Sequence, residues 1–389
     1  MSSWRECKLG DILEEVIDNR GRNPEEYTDF GIPVIDNFMI KNQKYINLAE
    51  SKRFLDDETF KSFIRKHIQN KDVLITLVGN GYGNISQAPK SKAVIIQNTI
   101  GLRCNGEADN DFLFYCLKFN NEEILNFDRG AVQPSIKVGD LKSLEILLPP
   151  LEEQKAIAEV LSSLDDKIDL LHRQNQTLES LAQTLFRQWF IEEAKEEWEV
   201  GTLDDIVYFN PSYRLKQGEL ATYLAMESVQ TDKSSTNGWY KREVASGAKF
   251  MNNDTLLARI TPSLENGKTA FVDFLEENEI GWGSTEFIIM KMKENYHPFL
   301  SYLIARNQDF RDFAVGCMTG STGRQRAQAE DLKKYEITIP PFEEVQRLNK
   351  LLEPIPPKIK ANWKQIQTLE NLRDTLLPKL LSGEVRVEI

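Results

Sequence analysis

The sequence predicts an α/β chain of the mixed α+β kind. Two globular segments are separated by two long helices packed as an antiparallel coiled coil, and the halves form a pseudo-twofold internal repeat. Three observations carry this. Pro149-Pro150 and Pro340-Pro341 align, and the same register pairs Gln176-Thr-Leu-Glu179 with Gln367-Thr-Leu-Glu370. After each double proline, apolar residues recur at alternating spacings of four and three, which is one stripe of a helix. Before each, short apolar runs bounded by turn residues recur at matching places and read as strands.

In chain order, residues 1–148 form the first globular segment, 149–197 the central helical arm, 198–339 the second globular segment, and 340–389 the distal helical arm with a C-terminal strand. Both globular segments open alike: Trp4, Leu9, Asp11 and Ile12 match Trp198, Leu203, Asp205 and Ile206. Inside them Asp72–Val78 parallels Asp254–Ile260, Gln97–Arg103 parallels Gly283–Met290, and Glu145–Leu148 parallels Glu336–Ile339. Helical patterns fall at about Asp111 to Leu125 and His297 to Phe313.

The seam of the central arm runs through Leu161, Ile168, Leu171, Asn175, Leu178 and Leu185, and that of the distal arm through Ile359, Ile366, Leu369 and Leu376. Two similar seams in one chain favour pairing with each other over packing of each helix on its own domain, and Asn175 suits a register-fixing polar residue. Pro354, Pro356 and Pro357 lack the N–H that a helix interior needs, so the distal arm should be a short helix to about Glu353 and a long one from about Pro357. By the repeat, the central arm should bend at Ser163-Leu164-Asp165, leaving a helix from about Asp166 to Ala194, roughly 40 Å long at 1.5 Å per residue. Gly383 should stop the distal helix. Ser382–Ile389 alternates like a strand, and by analogy with the first copy it should return close to the N-terminus, closing a ring.

Composition sets bounds. The chain has 389 residues, 41% hydrophobic and 28% charged, which fits a folded protein of two or more domains. Its four cysteines are scattered without a CxxC pair, and it has three histidines. That pattern points to a reducing cytoplasm and away from structural zinc. No stretch reads as a signal peptide or a membrane span. The net charge of −12 argues at first against nucleic acid, but residues 151–197 carry eleven acids against five bases, so half the excess sits on the central helix. The globular segments are only mildly acidic and leave room for a local basic face. Weak DNA binding by the chain alone is expected.

Two near-matches to catalytic motifs fail. Asn210-Pro-Ser-Tyr213 has Ser212 where the adenine-methyltransferase tetrapeptide has proline, and no glycine-rich methyl-donor loop accompanies it. Gly267-Lys268-Thr269 lacks the earlier glycine of a phosphate loop, because Pro262 stands there. No nucleophile–base set or paired carboxylates stand out. The residues read as those of a reader: no catalytic, cofactor or metal residues are expected.

The reading residues should lie on loops after the strands. In the first half these are Asn80, Tyr82 and Asn84, with Gln133, Ser135 and Lys137. In the second they are Arg259, Thr261, Ser263, Asn266 and Lys268, with Thr322, Arg324, Gln325 and Arg326. Such side chains bond phosphates and base edges, although Gly and Asn also favour plain solvated turns. Their recurrence at matching places in two copies favours the functional reading.

The chain resembles the specificity subunits of type I restriction–modification systems. The resemblance is carried by Leu148-Pro-Pro-Leu-Glu-Glu-Gln154, Leu164-Asp-Asp-Lys-Ile-Asp-Leu170, Gln183-Thr-Leu-Phe-Arg-Gln-Trp-Phe190, Asn371-Leu-Arg-Asp-Thr-Leu-Leu-Pro-Lys-Leu-Leu-Ser-Gly-Glu384 and Ala258-Arg-Ile-Thr-Pro-Ser-Leu-Glu-Asn-Gly-Lys-Thr-Ala270. It extends over the whole chain, and only the proline break at 354–357 departs from the smoother first copy. The resemblance implies that each globular segment is a target recognition domain reading one half of an asymmetric, bipartite site on double-stranded DNA. The coiled coil would be a ruler, to be compared with a DNA turn of about 34 Å. It further implies two methyltransferase subunits clasping the helices, which would supply S-adenosylmethionine and adenine methylation. Two motor and nuclease subunits would supply ATP hydrolysis and cleavage.

Overall fold

In the computed structural model, residues 4–21, 23–128, 134–192, 197–321 and 323–388 are described. The chain divides into two compact units, Met1–Leu170 with Gln367–Ile389, and Leu171–Ile366. Each therefore holds one globular part and a portion of both long helices.

The two units are built by the same strand logic. In the first, Leu13–Asp18, Thr99–Cys104, Val73–Thr76 and Ile85–Gln87 form a four-stranded antiparallel sheet. In the second, Val207–Phe209, Phe287–Met292, Thr255–Ala258 and Thr269–Phe271 repeat that order. Each unit adds a smaller sheet that contains one parallel pair: Ile32–Ile35 beside Val94–Ile95, and Leu220–Leu224 beside Gly281–Gly283. A two-stranded ribbon closes each globular part, Arg5–Lys8 with Glu145–Leu148 and Glu199–Thr202 with Glu336–Ile339. The central strands Val73–Thr76 and Thr255–Ala258 are buried along their whole length. That explains why they read as unbroken apolar runs and not as an alternation.

Helices cover one face of each main sheet. Each of the two expected helical patterns is divided by an asparagine. Asn110–Phe119 gives way at Asn120 to Asn121–Leu125. Leu300–Arg306 gives way at Asn307 to Gln308–Gly316, and the Asn307 side chain accepts the Phe310 amide at 3.1 Å to start the second helix. Asp109 does the same for Phe112 at 3.0 Å. An N-cap of this kind stabilises a helix by about 1 kcal/mol. Phe112, Phe114 and Tyr115 are fully buried in the first core, and Phe299, Tyr302 and Phe310 in the second. Burial of each such ring stabilises the fold by about 1.5–3 kcal/mol.

The long helices pack within each unit against each other and against the globular core. In the first unit Ile157, Ala158 and Leu161 share a core with Leu377, Leu380 and Leu381. Asp165 lies between the Tyr115 hydroxyl (2.6 Å) and the Arg373 guanidinium (2.8 Å). In the second unit Asn362 donates to the Asn175 side chain at 2.8 Å, both buried, and His172 meets Trp363 edge to face. There the Tyr302 hydroxyl and both the amide and hydroxyl of Ser234 donate to Glu179. Of the expected seam, Leu161, Ile168, Leu171, Asn175, Ile359 and Ile366 are buried. Leu178 and Leu185 are half-buried against the second core, Leu376 is half-buried against the first, and Leu369 is half-buried.

Two expectations are corrected. The bend at Ser163-Leu164-Asp165 does not occur: Leu151–Arg187 is one helix of 37 residues, roughly 55 Å long at 1.5 Å per residue. The first copy has no prolines where the second has three, so nothing interrupts its hydrogen-bond ladder. In the distal arm a helix Phe342–Leu352 does end, and a second runs Ile355–Leu381. Pro356 and Pro357 occupy its first turn, where N–H groups have no intrahelical partner to lose. The C-terminal strand is also absent from the described residues 382–388. Gly383, at φ +75°, ends the helix. The tail then packs on Trp4, with Arg386 stacked over its ring at 5.5 Å and ion-paired to the buried Glu153. Side-chain contacts, and not a strand ladder, bring this end close to Trp4.

Candidate nucleic-acid interface

The same two loops come together in each unit. In the first, the turn after Val73–Thr76 meets the segment before Val138–Lys142. Val78 bridges Ser135, the Gly79 amide donates to Pro134 at 3.1 Å, and the Ile136 amide donates to Leu77 at 2.9 Å. In the second, the turn after Thr255–Ala258 meets the segment before Ala329–Leu332. Ile260 bridges Arg326, the Thr261 amide donates to Gln325 at 3.1 Å, and the Ala327 amide donates to Arg259 at 2.9 Å. Loops distant in sequence are thus joined by backbone hydrogen bonds at one end of each main sheet.

In the first unit the turn is shaped by Gly79, Gly81 and Gly83, all at φ near +80°, a conformation that costs glycine little and other residues more. Asn80 is exposed at its tip. Asn84 is committed to the scaffold: it donates to the Ile40 carbonyl at 2.9 Å and accepts from Asn42 at 3.0 Å. Tyr82 packs against the core. Ser135 is half-buried, with its amide on Asp128 at 2.8 Å, and Lys137 is exposed. Gln133 lies outside the described residues. Sequence reasoning missed the other wall of this site. Asp36, Asn37, Phe38, Lys41, Gln97 and Asn98 line a concavity with Asn80 and Asn84, and Phe38 is 46% exposed on it. Nothing local marked these residues, because strand pairing brings 36–41 from about 40 positions before the turn and Gln97 and Asn98 from under 20 positions after it.

In the second unit Arg324 and Asn266 are exposed, while Ser263 and Gln325 are half-buried. Arg326 grips Glu286 with Nε and a terminal nitrogen at 2.7–2.9 Å, and this holds the Glu286 carboxyl below its usual range. Arg326 also donates to the Arg324 carbonyl at 3.4 Å. Lys268 donates to the Met226 carbonyl at 3.0 Å, and Arg259 donates to Gln328. The Arg259 Nε and Thr261 Oγ1 atoms are buried without a hydrogen-bond partner among the described residues. Such atoms are uncommon in folded proteins and call for an explanation. Thr322 lies outside the described residues. The Asn210–Tyr213 tetrapeptide is structural: Asn210 accepts from the Ile289 amide at 3.0 Å, and Tyr213 donates to Asp254 at 3.1 Å.

The exposed side chains at these loop pairs include Asn80 and Lys137 in one unit and Asn266 and Arg324, beside the acidic Glu265, in the other. Amides and guanidinium groups make bidentate bonds to base edges, and lysine neutralises phosphate. Among the described residues, no helix is long and apolar enough to cross a membrane.

Comparison with known proteins places this architecture. Residues 1–180 and 195–371 each match the family model of the type I restriction modification DNA specificity domain. The type I restriction enzyme MjaIX specificity subunit of Methanocaldococcus jannaschii is 28% identical over 432 residues, covering 99% of this chain and 94% of that protein. The MjaVIII specificity subunit of the same organism is 22% identical over 411 residues, covering 99% and 93%. The crystal structure of the type I restriction–modification S subunit from M. genitalium shares the fold, with a TM-score of 0.60 at 19% identity over 98% of this chain and 96% of that one.

Proposed function

The chain belongs to the type I restriction–modification DNA specificity family, and on that premise we propose that it is the non-catalytic subunit that reads the DNA target, in the cytoplasm, for a complex whose other subunits do the chemistry. Each globular part, 1–148 and 198–339, reads one half of a bipartite site on duplex DNA. The helical arms, 149–197 and 340–389, set the spacing and dock methyltransferase subunits, and motor and nuclease subunits join the same complex.

One observation carries this reading. The same strand topology presents the same pair of loops in both units, with different side chains at the tips. A scaffold that only joined partners would have no use for two sets of matched loops with divergent polar tips. The exposed residues are the readers: Asn80 and Lys137, Asn266 and Arg324. Arg326, held by Glu286, supports the Arg324 loop from behind, and Asn84 fixes the turn that carries Asn80. Arginine suits guanine and asparagine suits adenine, so the half-sites differ and the site is asymmetric. A chain of net charge −12 holds duplex weakly by itself, and the partner subunits contribute the missing affinity.

The test is to co-express the chain with its methyltransferase partner in a host lacking adenine methylation and map modified adenines across the genome. A single split, asymmetric motif is expected. A continuous short site would overturn the two-reader account, and a stable complex without methylation would favour a scaffold.

A further inference from the structure

The small sheet of the first unit has a roof. Val34, Leu55 and Val94 lie under Phe60, Phe63 and Ile64, which come from the helix Asp57–Ser62 and the residues just after it. The second unit builds the corresponding sheet around the same parallel pairing but has no helix at that place; Leu215 and Val244 pack with Ala221, Trp282 and Tyr223 instead, and Tyr240 and Arg242 stay exposed. There Tyr240–Glu243 leads to Ala248–Phe250 through residues 244–247 alone.

Side chains alternate across a strand. Leu224 and Phe250 point into the core, so Ala221, Tyr223, Trp282 and Lys249 point the other way, with Tyr240 and Arg242 beside them. Strand register sets Tyr240, Tyr223, Trp282 and Lys249 in one row across the sheet. Tyr240 meets Tyr223 at 5.3 Å between ring centres, and Tyr223 meets Trp282 at 4.6 Å. The Arg242 guanidinium lies over Tyr223 at 4.9 Å and over Trp282 at 5.7 Å. Trp282 is buried beneath, and its indole N–H has no partner among the described residues. Tyr240 is 52% exposed. Among the residues that these four strands turn outward, Arg242 and Lys249 are cations and none is acidic. Lys241 turns to the opposite side and pairs with Glu279.

Cross-strand aromatic pairing alone explains the buried Trp282. It does not explain a half-exposed tyrosine flanked by a stacked arginine beside a Tyr–Trp pair where the other unit has Val34 and Val94 under a helix. We propose that this face binds single-stranded nucleic acid, with an unpaired base stacking on Tyr240 and phosphates on Arg242 and Lys249. Flat rings with interleaved cations are what a sequence-tolerant single-strand groove supplies. An acidic peptide would use the cations and leave the rings idle. The face is separate from the loop pairs assigned to the duplex and does not depend on that assignment.

The test is fluorescence anisotropy of the full chain with a labelled oligothymidylate of about 20 nucleotides, beside an abasic strand of equal length. The chain should prefer the strand with bases. Tyr240→Ala should weaken binding by about 5- to 150-fold, the contribution of one stacked base, and Tyr240→Phe should restore it. Arg242→Ala should also lower the slope of log affinity against log salt by about 0.7. Equal binding of the abasic strand, indifference to Tyr240→Ala, or no binding of either strand would overturn the proposal. So would competition by polyglutamate that is insensitive to Tyr240→Ala, which would reassign the face to an acidic protein partner. The Tyr240→Ala chain should still direct methylation to the unchanged duplex motif, so the two readings fail separately.

Discussion

The loop pair of the first unit and that of the second hang on the same strands and differ in chemistry. Three glycines and two asparagines shape the first, between Gly79 and Asn84. Arg259, Lys268, Arg324 and Arg326 crowd the second. The backbone bridges Val78–Ser135 and Ile260–Arg326 occupy the same place in the two topologies. The frame is therefore held by buried strands and backbone hydrogen bonds, and the tips are free to vary. A protein built this way can change what one half reads without disturbing the other.

The way each unit grips the long helices differs in the same spirit. In the first, Asp165 answers Tyr115 and a cation, Arg373, and Asp111 answers Lys71. In the second, Glu179 answers the Tyr302 and Ser234 hydroxyls and an amide, and Asp254 answers the Tyr213 hydroxyl. At these sites the first unit answers its carboxylates with charge and the second with neutral donors.

The largest effect should come from Arg373→Ala. Arg373 and Asp165 have side chains 15% and 8% exposed, and removing one partner of a buried pair costs about 3–5 kcal/mol. Urea unfolding followed by hydrogen exchange should show that loss in the first unit, and a loss under about 1 kcal/mol would mean the pair is effectively solvated.

Next is pH. Burial pushes the Asp254 and Asp273 carboxyls up to about 6. Folding therefore takes up protons between about pH 4 and pH 6, so the second unit gains stability as pH falls through that window and lacks the gain above it. For each acid the swing is about 3 kcal/mol at most. Asp111 in the first unit is held below the usual range, by its hydrogen bond to Lys71 against the cost of burial, and has the opposite sign: its contribution is lost as pH falls. The urea midpoint of the natural chain, relative to Asp254→Asn/Asp273→Asn, should rise between pH 7 and pH 4.5. A flat difference would contradict the neutral-donor account.

Third, Arg324→Ala should lose about 1–3 kcal/mol of discrimination at one base pair of one half-site and leave the other half untouched, read by competition with substituted duplexes. If both halves relaxed together, the loops would not be independent readers. The smallest effect is that of Lys137→Ala. It should weaken all duplex sequences alike and lower the salt slope by about 0.9, and a sequence-dependent loss would make Lys137 a base reader instead.

Local pattern made much of this legible. The buried strands, Glu145–Leu148 and Glu336–Ile339 and the helical seams follow from periodicity, and the repeat matched them between the halves; the partner strands Arg5–Lys8 and Glu199–Thr202 are too short and polar to stand out. The same repeat misled at Ser163–Asp165, where it carried a proline break into a stretch without prolines. Alternation misled again at residues 382–388, where Arg386, stacked over Trp4 and paired with Glu153, and not a strand partner, holds the tail. Within the candidate site, the residue types on the loops were visible, but their roles were not. Arg326 and Arg324 look equivalent as letters, yet Glu286, 40 positions away, pairs with only one of them. Phe38 and Gln97 reach the first site only because strands distant in sequence pair, and the Asp165–Arg373 contact joins residues 208 positions apart.

The most direct test replaces residues 1–148 with those of a relative that differs in its loops and maps the methylated motif of the resulting complex. One half of the motif should change, with the other half and the spacing retained. A motif altered in both halves, or unaltered in either, would contradict the assignment of one half-site to each unit.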